Sequence, residues 1–170
     1  MNRPVILGLC FLALAGCGKG TAALTVTSPA FPDGGAIPAK YTCDGADVSP
    51  PISISDLPDD ATGIGLLLRD PDAPHGSFLH WAVWNVNAGN HVWPEGAVPD
   101  GAFQGTNDAN VVGYTGPCPP SGTHHYIFDV YALAGSYSLW RGAARASIEA
   151  VFEKQAIARG RLTGVYARVQ

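Results

Sequence analysis

Two short segments about forty positions apart combine charged side chains with rigid turns. Residues 70–74 read Asp-Pro-Asp-Ala-Pro, and His80 follows shortly before an apolar run. Residues 116–126 are rich in Gly and Pro and end in His-His-Tyr, where a second apolar run begins. Proline fixes φ and glycine permits tight turns, so these side chains are held at strand ends. The pattern predicts a small polar pocket at one end of a β-scaffold.

The composition favours one turn-rich β domain. A chain of 170 residues is long enough to bury a real core, and its 21 Gly and 14 Pro indicate many turns. Charged residues make up only 14%, and the formal net charge is −4. There is no basic stripe in the sequence, which argues against nucleic-acid binding and against electrostatic adhesion to anionic lipid surfaces.

The first residues resemble an export signal. Arg3 gives a positive start, residues 4–15 are apolar, and Leu-Ala-Gly-Cys ends at Cys17. The apolar stretch is too short to span a bilayer core of about 30 Å as a helix. The ending resembles a bacterial lipobox, which implies cleavage before Cys17 and acylation there; an ordinary signal peptide is the alternative. Gly18, in place of Asp, favours the outer membrane. We therefore expect a lipoprotein signal peptide over 1–16, a lipidated cysteine and tether over 17–23, and one domain over 24–170, facing the periplasm of a bacterial cell envelope.

The sequence predicts different roles for its four cysteines. Cys10 leaves with the leader and Cys17 carries lipid, so Cys43 and Cys118 remain as a lone pair in an oxidising compartment. We predict a disulfide between them, which would contribute about 4 kcal/mol on the chain-entropy relation. Two buried free thiols are the alternative. The absence of nearby histidines at metal spacing argues against zinc.

Hydrophobic periodicity predicts mostly strands. The predicted strands cover residues 24–27, 52–54, 64–68, 81–86, 125–133 and 162–169. One amphipathic helix is predicted over 143–159, ended by Gly160. Residues 87–110 show little regular structure, which indicates a functional loop or hidden short elements. This order predicts an antiparallel β-sandwich with one or two peripheral helices.

The first candidate segment supplies carboxylates and an imidazole. Pro71 and Pro74 stiffen the turn that carries Asp70, although an ordinary Asp/Pro turn would look the same. His80 begins an apolar strand, where a buried polar side chain needs a partner. Asp70 is a plausible one, and such a pair would favour imidazolium at His80, a good donor to a phosphate oxygen. A satisfied core histidine is the alternative.

The second segment supplies a further imidazole and a phenol. Side chains alternate along a strand, so His124 and Tyr126 share one face and His125 takes the other. Their opposed directions argue against His124 and His125 holding one metal ion. Gly116 allows a backbone N–H to approach a bound oxyanion. Ordinary strand polarity is the alternative for the histidine doublet.

Together the two segments resemble the signature regions of the phosphatidylethanolamine-binding protein family. Residues 41–45, 49–51, 105–108 and 113–114 are similar to its bacterial branch. The resemblance covers about 24–168 and implies a large central antiparallel sheet with a smaller sheet packed on it, and an anion pocket without cofactor or metal. By position its lining is Asp70, Ala73, Pro74, His80, Gly116, Pro117, His124 and Tyr126. It implies that His80 and His124 donate to the anion, that Asp70 orients His80, and that Tyr126 offers its hydroxyl.

One residue departs from the family pattern, because His125 stands where the family usually has Arg. This leaves the rigidity and charge of the pocket rim open. The resemblance implies a binding role toward a phosphate-like or other small anionic ligand, such as a phospholipid headgroup, with the membrane reached only through the anchor. A protein inhibitor of a peptidase or kinase-type enzyme is the alternative. A hydrolase is disfavoured because the chain has no Gly-x-Ser-x-Gly elbow.

Overall fold

The structure is a computed structural model that describes residues 22–135 and 137–168. The predicted leader, Cys17 and the tether up to residue 21 lie outside the described residues, and so does the last residue of the final predicted strand, Val169. Within the described ranges, no helix is long and apolar enough to cross a membrane.

Two sheets make up the fold. The larger sheet has the strand order β1-β10-β9-β5-β6-β8, and β3 also pairs with β10. Its strands are β1 (Ala22–Ala23), β3 (Gly35–Ala36), β5 (Gly63–Asp70), β6 (Phe78–Asn87), β8 (Phe103–Gln104), β9 (Thr123–Leu133) and β10 (Ala156–Ala167). The smaller sheet has the order β2-β4-β7, with β2 (Thr25–Thr27), β4 (Ile52–Ser55) and β7 (Val92–Trp93). The predicted sandwich is confirmed. The pairings are antiparallel except for those of β1 and β3 with β10, which are parallel.

The central strand β5 explains why its sequence is a continuous apolar run. Leu66 and Leu68 pack into the core between the two sheets, whereas Leu67 packs into a second core on the opposite face. That second core lies beneath the helix α1 (Arg145–Gln155), which contributes Ile148 and Phe152. Both faces of β5 are therefore covered, as a buried strand without polar alternation requires.

The predicted helix over 143–159 is too long at both ends. The helix ends at Gln155, and β10 begins at the next residue, so Gly160 does not stop it. Gly160 lies within β10, where a Cβ would meet the Leu24 carbonyl oxygen at 2.6 Å. Close packing of Leu24 against β10 requires glycine here, and this tertiary requirement gives the same sequence signal as a helix stop.

Two other predictions are refined. The predicted tether ends in a strand, because Ala22 and Ala23 form β1 on the edge of β10. The irregular region 87–110 holds two short strands, β7 and β8. A short 3-10 helix, Ala39–Tyr41, is the second helical element.

The register of the large sheet brings three strand ends together. Asp70, the last residue of β5, pairs with Phe78 near the start of β6, and Arg69 pairs with Ile127 near the start of β9. The end of β5 and the beginnings of β6 and β9 therefore lie side by side at one end of the sheet. The two candidate segments of the sequence meet there.

Candidate functional site

A small cavity of about 290 Å³ opens at these three strand ends, and we call it the strand-end pocket. Seven of its lining residues are those expected from the sequence: Asp70, Ala73, Pro74, His80, Gly116, His124 and Tyr126. Six were not expected: Phe78, Ala109, Thr115, Cys118, Pro119 and Pro120. Much of the lining is apolar, so its few polar groups act in a poorly solvated space.

Asp70 binds His124, not His80. The Nδ1 atom of His124 lies 2.7 Å from Oδ2 of Asp70, and their side chains are only 10% and 5% exposed. A carboxylate accepts, so Nδ1 carries the hydrogen. The second Asp70 oxygen accepts the Asp72 backbone N–H at 2.8 Å, which fixes the turn after β5. The expectation that Asp70 orients His80 is therefore wrong.

His80 is instead held by the backbone of a loop. Its Nδ1 lies 2.8 Å from the Thr115 carbonyl oxygen, and the Thr115 N–H donates to the His80 carbonyl at 3.1 Å. Burial lowers the pKa of His80, and this outweighs the opposing effects of the Thr115 carbonyl and the Asp70 charge. This direction argues against the expected cationic donor at His80, and the carbonyl contact requires a hydrogen on Nδ1.

Tyr126 lines the pocket, but its hydroxyl is enclosed. The residue is fully buried, and its hydroxyl lies near the Asp70 carboxylate and the Cys118 backbone without forming a hydrogen bond of full geometry with any described residue. Its ring meets the His80 ring edge-on, with centroids 5.2 Å apart. Burial raises the pKa of Tyr126, and the charge and proximity of the Asp70 carboxylate raise it further, so the side chain remains a phenol and a donor. A buried hydroxyl without a well-formed hydrogen bond is costly, so an added acceptor would stabilise it.

Gly116 lines the pocket, but its N–H is not available to an anion. It donates to Oδ1 of Asp47 at 2.6 Å, so the predicted role of this N–H is wrong. Glycine is required here for another reason, since a Cβ would meet the Tyr41 carbonyl oxygen at 2.5 Å. Pro117 lies outside the lining, and its carbonyl accepts the Cys43 N–H at 3.1 Å.

The predicted disulfide is confirmed. Cys43 and Cys118 are bonded, with Cα atoms 5.4 Å apart. Because Cys118 lines the pocket, the bridge fastens the wall formed by residues 116–120 to the loop after the 3-10 helix.

Asn107 organises the loop opposite β6. It is buried, and its side-chain nitrogen lies 3.1 Å from the His80 carbonyl and 2.9 Å from the Thr115 hydroxyl. Its side-chain oxygen accepts the N–H groups of Ala109 and Val111. It was missed as a site residue, although it lies in the segment 105–108 that carries part of the resemblance.

His125 points away from the pocket, as strand alternation predicts. Its Nδ1 and its backbone N–H lie 2.7 and 2.8 Å from Oδ2 of Asp72. The hydrogen bond from the His125 side chain lowers the pKa of Asp72. His125 thus ties β9 to the turn carrying Ala73 and Pro74, so this position supports the rim from outside.

A larger cleft of about 470 Å³ lies elsewhere, on the helix side of the large sheet. Its charges are largely paired with one another: Asp129 lies 2.6 Å from Arg69 and 2.8 Å from Arg161, and Arg159 lies 2.7 Å from Glu153, although Nε of Arg159 is buried without a partner among the described residues. We favour the strand-end pocket as the functional site because two buried imidazoles, each held by a hydrogen bond at Nδ1, line it. Within the described ranges no three His, Cys, Asp or Glu side chains are grouped to hold a metal ion.

The described residues therefore form a two-sheet β-sandwich with a pocket at one end of its larger sheet. The chain belongs to the phosphatidylethanolamine-binding protein family, whose sequence profile matches residues 27–167. UPF0098 protein PH1269 of Pyrococcus horikoshii is 40% identical over 177 aligned residues, covering 97% of this chain and 88% of that protein. A UPF0098 protein of Methanothermobacter thermautotrophicus is 39% identical, with coverages of 85% and 99%.

Solved structures agree with this assignment. The family homologue CT736 of Chlamydia trachomatis has a TM-score of 0.82 and 38% identity, and the match covers 86% of this chain and 99% of that one. YbcL of E. coli, described as a member of the mammalian family, has a TM-score of 0.81 and 30% identity, with coverages of 87% and 100%.

Proposed function

We propose that this protein is a binding module of the bacterial cell envelope that holds a phosphate-like or other small anionic group in the strand-end pocket. The observation that carries the proposal is the buried His124, held by Asp70 and lining a mostly apolar cavity beside Tyr126. A phospholipid headgroup is one ligand of this chemistry.

The recognition step uses two donors on one strand face. When His124 is protonated, Nδ1 donates to Asp70 and Nε2 donates to the ligand. Both side chains project from the same face of β9, and in this proposal a small movement of Tyr126 on binding brings its enclosed hydroxyl to the ligand as a second donor. An oxyanion that accepts from both satisfies the buried hydroxyl and balances the imidazolium. Such charge-assisted bonds are stronger than neutral ones.

We propose binding without catalysis. Within the part of the chain that the structure describes, Cys118 is the one cysteine in the lining, and it is consumed by the disulfide. The Thr115 hydroxyl is engaged by Asn107. These contacts support a pocket that holds its ligand and offers no activated nucleophile to attack it.

We further propose that Cys17 carries a lipid and that the membrane is reached only through it. The proposal is supported by the sequence of residues 14–17, which lie outside the described residues. A Cys17→Ser variant should lose metabolic labelling by an alkyne fatty acid and leave the membrane fraction. Equal labelling of the variant and the wild type would refute the anchor.

A neighbouring pair of histidines gives a matched test of the pocket. Calorimetric titration of the full chain with phosphoethanolamine should show saturable binding that His124→Ala weakens at least about tenfold, the value of one lost charge-assisted bond. His125→Ala should bind within about twofold of wild type, because that ring lies on the opposite face. Unchanged binding by a folded His124→Ala variant would contradict the proposal.

A further inference from the structure

We propose that the strand-end pocket selects oxyanions that carry a proton, above all a monoprotonated phosphate monoester, and rejects equally charged oxyanions that cannot carry one, such as a sulfate monoester. This inference rests on the proposed function, since it specifies the ligand of the same pocket.

The selective group is the ring of His80. A backbone carbonyl can only accept a hydrogen bond, so the contact of His80 Nδ1 with the Thr115 carbonyl oxygen requires the hydrogen on Nδ1. In a neutral imidazole the other nitrogen, Nε2, is then a bare acceptor. That atom has no hydrogen-bond partner among the described residues, yet it is not sealed from the cavity.

The ring cannot turn over to present a donor. The Thr115 N–H binds the His80 carbonyl while the Thr115 carbonyl binds the ring, so the two residues are locked in a reciprocal pair. The side-chain nitrogen of Asn107 donates to the His80 carbonyl and to the Thr115 hydroxyl, which holds both residues in place. The rings of Phe78 and Tyr126 flank His80, with centroids 4.8 and 5.2 Å away. The tautomer is therefore fixed by the loop and not chosen by the ligand.

The charged groups around His80 do not turn its Nε2 from a hydrogen-bond acceptor into a donor. The carboxylates of Asp47, Asp70 and Asp108 all favour the charged ring, but burial lowers the pKa of His80 by more than they raise it. Among the described residues, no Lys or Arg lines the pocket, and the one lining carboxylate, Asp70, is already paired with His124. A doubly charged anion would thus meet a single imidazolium at most.

A ligand that fits must both accept and donate. It accepts from His124 and Tyr126, and it donates to Nε2 of His80. The monoanion of a phosphate monoester does this, because one oxygen retains a hydrogen at pH values near its second pKa of about 6. A sulfate monoester carries the same charge but has no hydrogen, so its oxygen would face the His80 lone pair. The histidine would then have to take a proton from solvent against the effect of its burial.

The test uses two tetrahedral esters of the same alcohol, of which only the phosphate ester can carry this hydrogen near pH 6. The full chain is titrated with phosphoethanolamine and with the sulfate ester of ethanolamine at pH 6, where about half of the phosphate ester is monoprotonated. We expect the phosphate ester to bind at least about tenfold more tightly, as one unsatisfied buried contact implies. In His80→Gln, whose side-chain amide can donate, this preference should fall to within about threefold. His91→Gln, at an exposed histidine outside the lining, should keep it.

The outcomes separate the two proposals. Equal affinity of the wild type for both esters would overturn the inference and leave the proposed function standing. No binding of either ester by a folded wild type would overturn the proposed function and the inference with it. Should His80→Gln not fold, the ¹⁵N resonances of His80 in the wild type decide the point. An unprotonated Nε2 supports the inference, whereas a hydrogen on Nε2 in the free protein overturns it.

Discussion

Replacing Cys43 and Cys118 by serine should destabilise the protein by about 4 kcal/mol. The two cysteines are 75 positions apart, and closing a loop of that length removes this much entropy, as free energy at 25 °C, from the unfolded chain. Both side chains are exposed, so serine leaves neither a cavity nor a buried unsatisfied hydroxyl in the folded state. The loss should therefore come mainly from the unfolded ensemble.

Urea unfolding followed by tryptophan fluorescence measures this loss. The double variant should show a lower midpoint, and its melting temperature should fall by roughly 8–16 °C for a domain of this size. Wild type unfolded with reductant present is the control and should match the variant. An unfolding free energy within about 0.5 kcal/mol of the oxidised wild type would refute the loop-closure reasoning.

Three further predictions concern the pocket walls. Gly116→Ala should destabilise by about 1–3 kcal/mol in urea unfolding, because its Cβ would overlap the Tyr41 carbonyl; a neutral effect would contradict the close approach. Asp47→Ala should lower the free energy of unfolding by about 1–3 kcal/mol, because it leaves the Gly116 N–H without its acceptor. Asp47→Asn should lose less, since asparagine keeps an acceptor and tolerates the backbone φ of 52° at this position. Equal losses in the two variants would argue against the hydrogen bond from Gly116 to Asp47. Burial lowers the folded-state pKa of His80 below its ordinary 6.5, so only the unfolded chain takes up a proton there as the pH falls below 6.5. The stability of wild type relative to His80→Gln should therefore be full above pH 6.5 and decline below it, by at most about 1.4 kcal/mol per pH unit. A flat difference would show that folding does not lower the pKa of His80.

Local periodicity was enough to predict which residues share a face. The alternation of β9 places His124 and Tyr126 in the pocket and His125 outside it, as the structure has them. The apolar run of β5 likewise predicts a strand covered on both faces. These features depend on neighbours in sequence, which is why the sequence alone reveals them.

Hydrogen-bond partners were harder to predict than faces. β5 lies between β6 and β9, so Asp70 had two histidines within reach of its strand end, and only the packed structure places it against His124. His80 is held by Thr115, from a loop 35 positions away. The Gly116 N–H is taken by an aspartate 69 positions earlier. Such pairings are set by tertiary packing, which leaves no local pattern in the sequence.

The C-terminal end of the helix was also mispredicted because a tertiary contact determines it. Glycine after an amphipathic stripe indicates a helix stop, yet Gly160 is needed because Leu24 packs against β10. One residue type answers two structural requirements, and the sequence does not distinguish them.

A crystal structure of the protein with phosphoethanolamine tests the central claim most directly. We predict phosphate density in the strand-end pocket, in contact with Nε2 of His124 and the hydroxyl of Tyr126, with the Asp70–His124 bond retained. An empty pocket at saturating ligand, or phosphate bound instead among Arg69, Arg159 and Arg161 in the larger cleft, would contradict it.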